Sequence, residues 1–137
     1  MKKFVLSLVL IAAGSTVSAA PGYLYDCDMR DVKQGKGWVS PKIALVLPGD
    51  GTVQVVDAVT LHFNEGPLEG TIVRENDKRL IVKWSIENAK ADNGTSFSNF
   101  DYRASISKTS GAIELTAIPR QFDLGLRSPG TCRKRQQ

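Results

Sequence analysis

Apolar and polar residues alternate along most of the chain, which is the spacing of a β-strand with one face in a core and the other in solvent. In the clearest segment, residues 79–87, every second position holds a large apolar residue: Leu80, Val82, Trp84 and Ile86. No long stripe with helical spacing runs between Cys27 and Cys132. The pattern therefore predicts an all-β protein.

Turn-forming residues divide this alternation into seven or eight short strands. We predict strands at residues 23–29, 38–47, 52–63, 70–75, 79–87 and 100–107, a strand through Ile113, Leu115 and Ala117 that ends at Pro119, and a short last strand within residues 121–131. Asn76-Asp77-Lys78 predicts a hairpin between the strands on either side of it. Residues 88–98 lack a period and indicate a long loop or a single helical turn.

Short strands joined mostly by brief turns indicate a single antiparallel meander, which forms either a barrel or a two-sheet sandwich. We favour the barrel, closed or nearly closed, because pairing the first strand with the last removes both exposed edges of the sheet. An eight-stranded barrel has room for its own side chains or for one small ligand. The many large inward residues predict a filled interior.

The start of the chain has the three parts of a secretory signal peptide. Two lysines precede the apolar run 4–13, which is about half the length of a membrane-spanning helix, and small residues follow it. We expect cleavage near Ala19, so that residues 1–19 are a signal peptide and residues 20–137 are one domain with no transmembrane anchor. The short signal with two lysines is typical of bacteria, which predicts a periplasmic or secreted protein.

Two cysteines stand near the ends of the predicted domain, Cys27 and Cys132. In an exported protein the expected state of such a pair is a disulfide. The alternatives are a reactive thiol pair and two free thiols, but the C-x-x-C spacing of a redox pair is absent. A disulfide would tie the first strand to the end of the chain.

Composition excludes several kinds of site. The chain is 42% hydrophobic and 23% charged, in the range of a globular domain, and it has one histidine and two cysteines. These are too few for a structural zinc site or an iron–sulfur cluster. The segments 49–51 and 92–94 lack the spaced acidic ligands of a calcium loop. We therefore predict no metal and no cofactor.

The distribution of charged residues along the chain indicates which classes of partner the protein can bind. The net charge is +4 for the whole chain and about +2 once the two N-terminal lysines are set aside. Arg133, Lys134 and Arg135 lie among the last five residues and predict a short basic tail, either solvated or touching an anionic envelope surface. The rest of the domain shows no basic stripe of the kind that nucleic-acid binding requires, so we expect no nucleic-acid partner.

Two polar residues in the third predicted strand need an explanation: Asp57, which does not fit the strand pattern, and His62, which could act in catalysis. Asp57 falls in the inward row of the third predicted strand, where an isolated carboxylate would be costly to bury. A bulge could turn it outward, a partner such as an arginine could meet it, or it could be a functional acid. His62 falls on the more polar face of the same strand and is the chain's single histidine. No serine lies in a G-x-S-x-G elbow, so a catalytic role for His62 stays a minor alternative.

Aromatic residues near the predicted strand ends are the stronger indication of function. Trp38 follows a glycine-rich segment, and Phe97 precedes Asn99 in the long loop. Aromatic side chains in such positions anchor partners, so Trp38, Phe97 and Asn99 are candidate partner-binding residues. The alternative for Trp38 is that it plugs the end of the barrel.

The start Tyr25-Asp26-Cys27, the late Cys132 and the meander between them resemble small periplasmic lysozyme-inhibitor barrels in architecture. Residues 105–111 match the inhibitory loop of that family only loosely, so no functional residue is carried over. We expect an exported bacterial, non-enzymatic binding protein that engages an unknown protein or envelope component, in an inhibitor-like or accessory role. The alternatives are a carrier of a small apolar ligand with lipocalin-like architecture and, third, a hydrolase.

Overall fold

The structure is a computed structural model, and it describes residues 20–35, 37–90, 99–121, 123 and 125–137. The predicted signal peptide, most of the predicted loop 88–98 and the candidate residue Phe97 lie outside the described residues. In the part of the chain that is described, no helix is long and apolar enough to cross a membrane.

The described residues form eight strands and two short helices. The strands are β1 (Tyr23–Met29), β2 (Lys42–Leu47), β3 (Val53–Asp57), β4 (Leu68–Glu75), β5 (Arg79–Glu87), β6 (Asn99–Ser107), β7 (Ala112–Pro119) and β8 (Leu126–Gln136). A 3-10 helix covers Val32–Gly35, and an α-helix, α1, covers Ala58–Asn64.

Each strand pairs antiparallel with the next, and β8 pairs with β1, so the sheet is a closed barrel. This confirms the predicted meander and decides between barrel and sandwich. The hairpin predicted around Asn76-Asp77-Lys78 is also confirmed, as the turn between β4 and β5. We call the end with the β1–β2, β3–β4, β5–β6 and β7–β8 connections the apical end, and the opposite end the basal end.

The alternating residues point into the barrel as their spacing predicts. On β5 the four inward residues are at most 4% exposed: Leu80, Val82, Trp84 and Ile86. Trp84 stacks on Tyr102 of β6, with ring centroids 5.3 Å apart and planes 2° from parallel. Phe100 and Tyr102 are among the largest fully buried side chains, so large residues fill the interior as expected.

The predicted third strand, residues 52–63, is wrong beyond Asp57, where β3 ends and α1 begins. Asp57 has an extended backbone, and its carboxylate accepts a hydrogen bond from the backbone N of Thr60 at 2.6 Å. In return, Thr60 Oγ1 accepts one from the backbone N of Asp57 at 2.9 Å. This capping box satisfies backbone groups at the start of a helix, and a period of two cannot reveal it. His62 therefore lies on α1 and not on a strand.

The predicted second strand starts too early, because β2 begins at Lys42 rather than at Trp38. Residues 37–41 instead run across the apical end of the barrel, and the backbone N of Met29 donates to the carbonyl of Pro41 at 2.8 Å. Trp38 thus belongs to the covering of the barrel end.

The basic C-terminal residues belong to β8, which corrects the prediction of a separate charged tail. The C-terminal part of β8 pairs with the whole of β1, from Met29 opposite Gly130 to Tyr23 opposite Gln136. On the outer face, the guanidinium of Arg133 lies 3.1 Å from the Asp28 carboxylate, and Arg135 lies 3.3 Å from Asp26. The acidic outer row of β1 explains why a basic segment forms a strand there.

Cys27 and Cys132 are directly opposite each other in the β1–β8 ladder and are joined by a disulfide, as predicted. Their positions are 105 residues apart in the chain, and both are buried. The bond therefore lies inside the barrel, at the seam that closes it.

We predict that replacing both cysteines by alanine lowers the free energy of unfolding by roughly 2–5 kcal/mol, because the crosslink restricts the unfolded chain. Urea unfolding followed by tryptophan fluorescence measures the change. Wild-type protein unfolded in reductant is the matched control and should unfold at the same urea concentration as the variant. Equal midpoints for oxidised and reduced wild type would contradict the prediction.

Candidate functional site

The apical end of the barrel carries a groove of about 580 Å³. It lies between the β1–β2 connection, α1 and Lys90, which is three residues beyond the end of β5. Its lining residues are Val32, Lys33, Gly37, Trp38, Val39, Ser40, Pro41, Ala58, Val59, His62, Phe63 and Lys90. We call it the apical groove.

Aromatic rings form one wall of the groove. Trp38 stacks on Phe63 of α1, with centroids 5.5 Å apart, and on Phe100 of β6, with centroids 4.1 Å apart. The hydroxyl of Tyr102 donates to the carbonyl of Trp38 at 2.9 Å and fixes the backbone. Trp38 is half-buried, so it covers the barrel end and still presents part of its ring to the groove.

The rim of the groove is cationic. Lys33, His62 and Lys90 are exposed, and the lining contains no carboxylate. Among the described residues, neither Lys33 nor Lys90 forms an ion pair with a carboxylate. The rim therefore holds positive charge that no side chain in the described ranges neutralises.

A buried polar cluster supports the floor of the groove. Ser40 is 3% exposed, and its Oγ accepts a hydrogen bond from the backbone N of Val59 at 3.3 Å. The Ser40 side chain also hydrogen-bonds the carboxylate of Asp57, which is 5% exposed and caps α1. Through this cluster one carboxylate holds both α1 and the β1–β2 connection in place.

Burial raises the pKa of Asp57, while its hydrogen bonds from Thr60, Val59 and Ser40 act in the opposite direction. Burial also raises the pKa of Tyr102, and the nearby charge of Asp57 adds to that effect. Of the alternatives that the sequence leaves open for Asp57, the structure shows a buried carboxylate that has partners. These partners are helix N–H groups and hydroxyls, and not an arginine.

Serine, histidine and aspartate all lie near the groove, but they are not connected as a catalytic triad. In a triad the carboxylate orients the histidine and the histidine activates the serine. Here Asp57 bonds Thr60 and Ser40, and His62 makes an edge-to-face contact with the ring of Phe63 at 4.7 Å. In the described residues no hydrogen bond joins His62 to Ser40 or Asp57, so the hydrolase alternative gains no geometric support.

The structure places the candidate partner-binding residue Asn99 apart from the groove. Asn99 is the first residue of β6, and its Oδ1 accepts a hydrogen bond from the backbone N of Asn88 at 3.1 Å. Asn99 thus closes the stem of the β5–β6 connection and is not among the groove's lining residues.

Sequence reasoning missed Lys33, Phe63 and Lys90. It assigned Phe63 to the inward row of a strand and gave no role to the two lysines. A signal was present at Asp57, which broke the apolar row and has a threonine three residues later, as a helix cap does. In the described part of the chain, no group of three or more potential ligand residues (His, Cys, Asp, Glu) lies close enough to hold a metal ion.

Comparison of the chain with models of protein families, with curated proteins and with solved structures gave no match.

We predict that Asp57→Ala lowers the free energy of unfolding by about 1–3 kcal/mol, because the helix cap and a buried hydrogen-bond acceptor are lost. Asp57→Asn keeps a cap acceptor and removes the buried charge. Chemical denaturation of both variants and of wild type measures the effect.

The comparison of wild type with Asp57→Asn also gives a pH dependence. Because the folded-state pKa is raised, the folded state binds this proton more tightly, so the carboxyl stabilises the fold fully below its unfolded pKa. That contribution is lost as the pH rises through the folded-state pKa, so Asp57→Asn should gain stability relative to wild type as the pH rises from about 4 towards neutral. A difference that stays constant over this range would contradict the prediction.

Proposed function

We propose that the protein is an exported bacterial, non-enzymatic binding protein that engages a protein of the cell envelope through the apical groove. The observation that carries the proposal is the groove itself, which combines an aromatic wall, an apolar floor and an uncompensated cationic rim. Aromatic side chains held in place by packing dominate the energetics of protein recognition. Trp38 and Phe63 have this character because each ring stacks on the other.

The chemistry of the groove indicates which partner segment it accepts. Its apolar floor and aromatic wall suit an aliphatic or aromatic side chain. Lys33 and Lys90 suit carboxylates next to that side chain, since opposite charges across an interface steer association and fix orientation. We therefore propose a partner segment in which an apolar residue is flanked by acidic residues.

The carrier of a small apolar ligand remains the alternative. Such carriers hold the ligand inside the barrel, whereas the inward positions here are occupied by large side chains such as Tyr102, Phe100 and Trp84. The packed interior favours the protein-binding proposal over the carrier.

Two tryptophans report on the two alternatives separately. Trp38 lies at the groove and Trp84 lies in the interior, 4% exposed. We predict that a capped pentapeptide with phenylalanine between two aspartates shifts the NMR signals of the Trp38 indole and leaves those of Trp84 unchanged. The same peptide with lysines in place of the aspartates should cause no shift. Absence of shifts with the acidic peptide, or equal shifts with both peptides, would contradict the proposal.

Charge reversal tests the role of the rim. Lys33→Glu and Lys90→Glu should each weaken binding of the acidic peptide about three- to tenfold, since exposed charges contribute modestly and a reversal turns attraction into repulsion. Arg127→Glu is the matched control, because it makes the same change in net charge at an exposed residue of β8 that does not line the groove. Equal weakening by all three variants would assign the effect to net charge and overturn the role of the groove.

Native mass spectrometry of protein purified from the periplasm of its source bacterium distinguishes the carrier alternative from the protein-binding proposal. A bare monomer at the mass of the cleaved, oxidised chain supports the binding proposal. A discrete small adduct that is lost on denaturation would favour the carrier.

A further inference from the structure

The outer surface of β4, β5 and β6 carries a second feature that the apical groove does not explain. Five exposed cations lie on these strands and on the β4–β5 turn: Arg74, Lys78, Arg79, Lys83 and Arg103. We call this surface the cationic face. It concentrates positive charge in a domain whose net charge is only about +2.

None of these five cations lies in an ion pair within the described parts of the chain, where every ion pair engages a different cation. The charge of Asp101 acts on Lys83 without forming an ion pair with it. Three carboxylates on β4, β6 and β7 are bound by other side chains. Glu75 binds Tyr23 and Lys108, Asp101 binds Arg120, and Glu114 binds Arg127. Asp77 is the acidic residue that shares the turn with Lys78.

Two of the cations face each other directly. Lys83 of β5 and Arg103 of β6 are partners in the strand register, and like charges in that position destabilise a sheet. The register of the β5–β6 ladder fixes this juxtaposition, because it aligns the inward rows of both strands. An anion lying over the pair removes the repulsion, so the sheet itself favours a negatively charged ligand here.

The basal end of the cationic face contains a pocket of about 480 Å³. Its lining residues are Arg74, Asn76, Lys78, Arg79, Ser107 and Thr109. Three cationic side chains and two hydroxyls thus converge on one concave site, and these are the donors that bind phosphate oxygens. One guanidinium nitrogen of Arg79 donates to Ser105 Oγ at 2.8 Å, which holds this side chain against the sheet.

An apolar side chain lies beside these charges. The β4–β5 register shifts between Ile72 and Arg74, and Val73 at this bulge is 50% exposed. An exposed apolar residue among cations is the combination by which proteins bind to an anionic membrane surface.

We propose that the cationic face binds an anionic phospholipid surface, with a headgroup phosphate in the basal pocket and Val73 against the lipid. The face extends along β5 from Arg79 to Lys83, about 13 Å, which is more than one phosphate covers. The six residues that line the pocket include no aromatic ring on which a nucleic-acid base would stack, and this favours a lipid surface over single-stranded nucleic acid. The apical groove shares no lining residue with this pocket, so the two proposals stand or fall separately.

Vesicle sedimentation tests the proposal with the full mature domain. Vesicles with about a third phosphatidylglycerol in phosphatidylcholine should bind the protein at low salt and release it at high salt, and pure phosphatidylcholine should not bind it. The double variant Lys83→Gln, Arg103→Gln should bind about 25-fold more weakly, since each cation near an anionic surface contributes roughly fivefold. Its unfolding temperature should not fall, because the variant relieves a like-charge pair.

The double variant Lys42→Gln, Arg127→Gln is the matched control, with the same change in net charge at residues that lie in ion pairs with Asp28 and Glu114. It should bind within about twofold of wild type. An equal loss in both double variants, or no binding to the anionic vesicles, would overturn the proposal. Full competition by inorganic phosphate would show a site for a free anion instead, and tighter binding of a DNA oligonucleotide would show a nucleic-acid surface.

Discussion

The pairing of β1 with β8 is the constraint on which the rest of the structure depends. It turns an eight-stranded meander with two unpaired edges into a closed barrel, in which every strand is hydrogen-bonded to a neighbour on each side. Cys27 and Cys132 face each other across this seam and join the two strands from inside. On the outside of the same seam, acidic β1 meets basic β8, so the charges agree with the register that the disulfide fixes.

Closure fixes the interior, and a single buried carboxylate organises the apical end. Asp57 ends β3 and starts α1, and its link to Ser40 ties the helix to the β1–β2 connection. These two segments bring Phe63 and Trp38 into one stack over the core. The apical groove is therefore a consequence of a helix cap, and its shape depends on a residue that does not line it.

The barrel presents two surfaces with different chemistry. The apical groove offers aromatic rings with a cationic rim, which suits an acidic, partly apolar protein segment. The cationic face offers spread positive charge with one exposed valine, which suits an anionic lipid surface. The two proposals concern different parts of the barrel, one side for the lipid surface and one end for the protein partner.

Local patterns predicted much of the fold, because a strand with one buried face requires alternation in any context. The β4–β5 hairpin, the inward row of β5 and the disulfide were all predicted from residues alone. The prediction of His62 on a strand was wrong, since its apolar neighbours fit both a strand and the buried side of a short helix, and the capping box decided between them. Lys33 and Lys90 could not be assigned, because they are far apart in the chain and meet only at the barrel end.

The sequence by itself determined that this chain forms an antiparallel meander with one disulfide, because alternation is a local signal and the chain has a single pair of cysteines. The choice between a barrel and a sandwich came from the pairing of β1 with β8. Only the tertiary structure decided where charges and rings accumulate. A small net positive charge is consistent with many distributions of the charged residues, and strand register sets which side chains become neighbours across the sheet. The basic C-terminal residues form a strand because they pair with β1, and the β5–β6 register places Lys83 opposite Arg103.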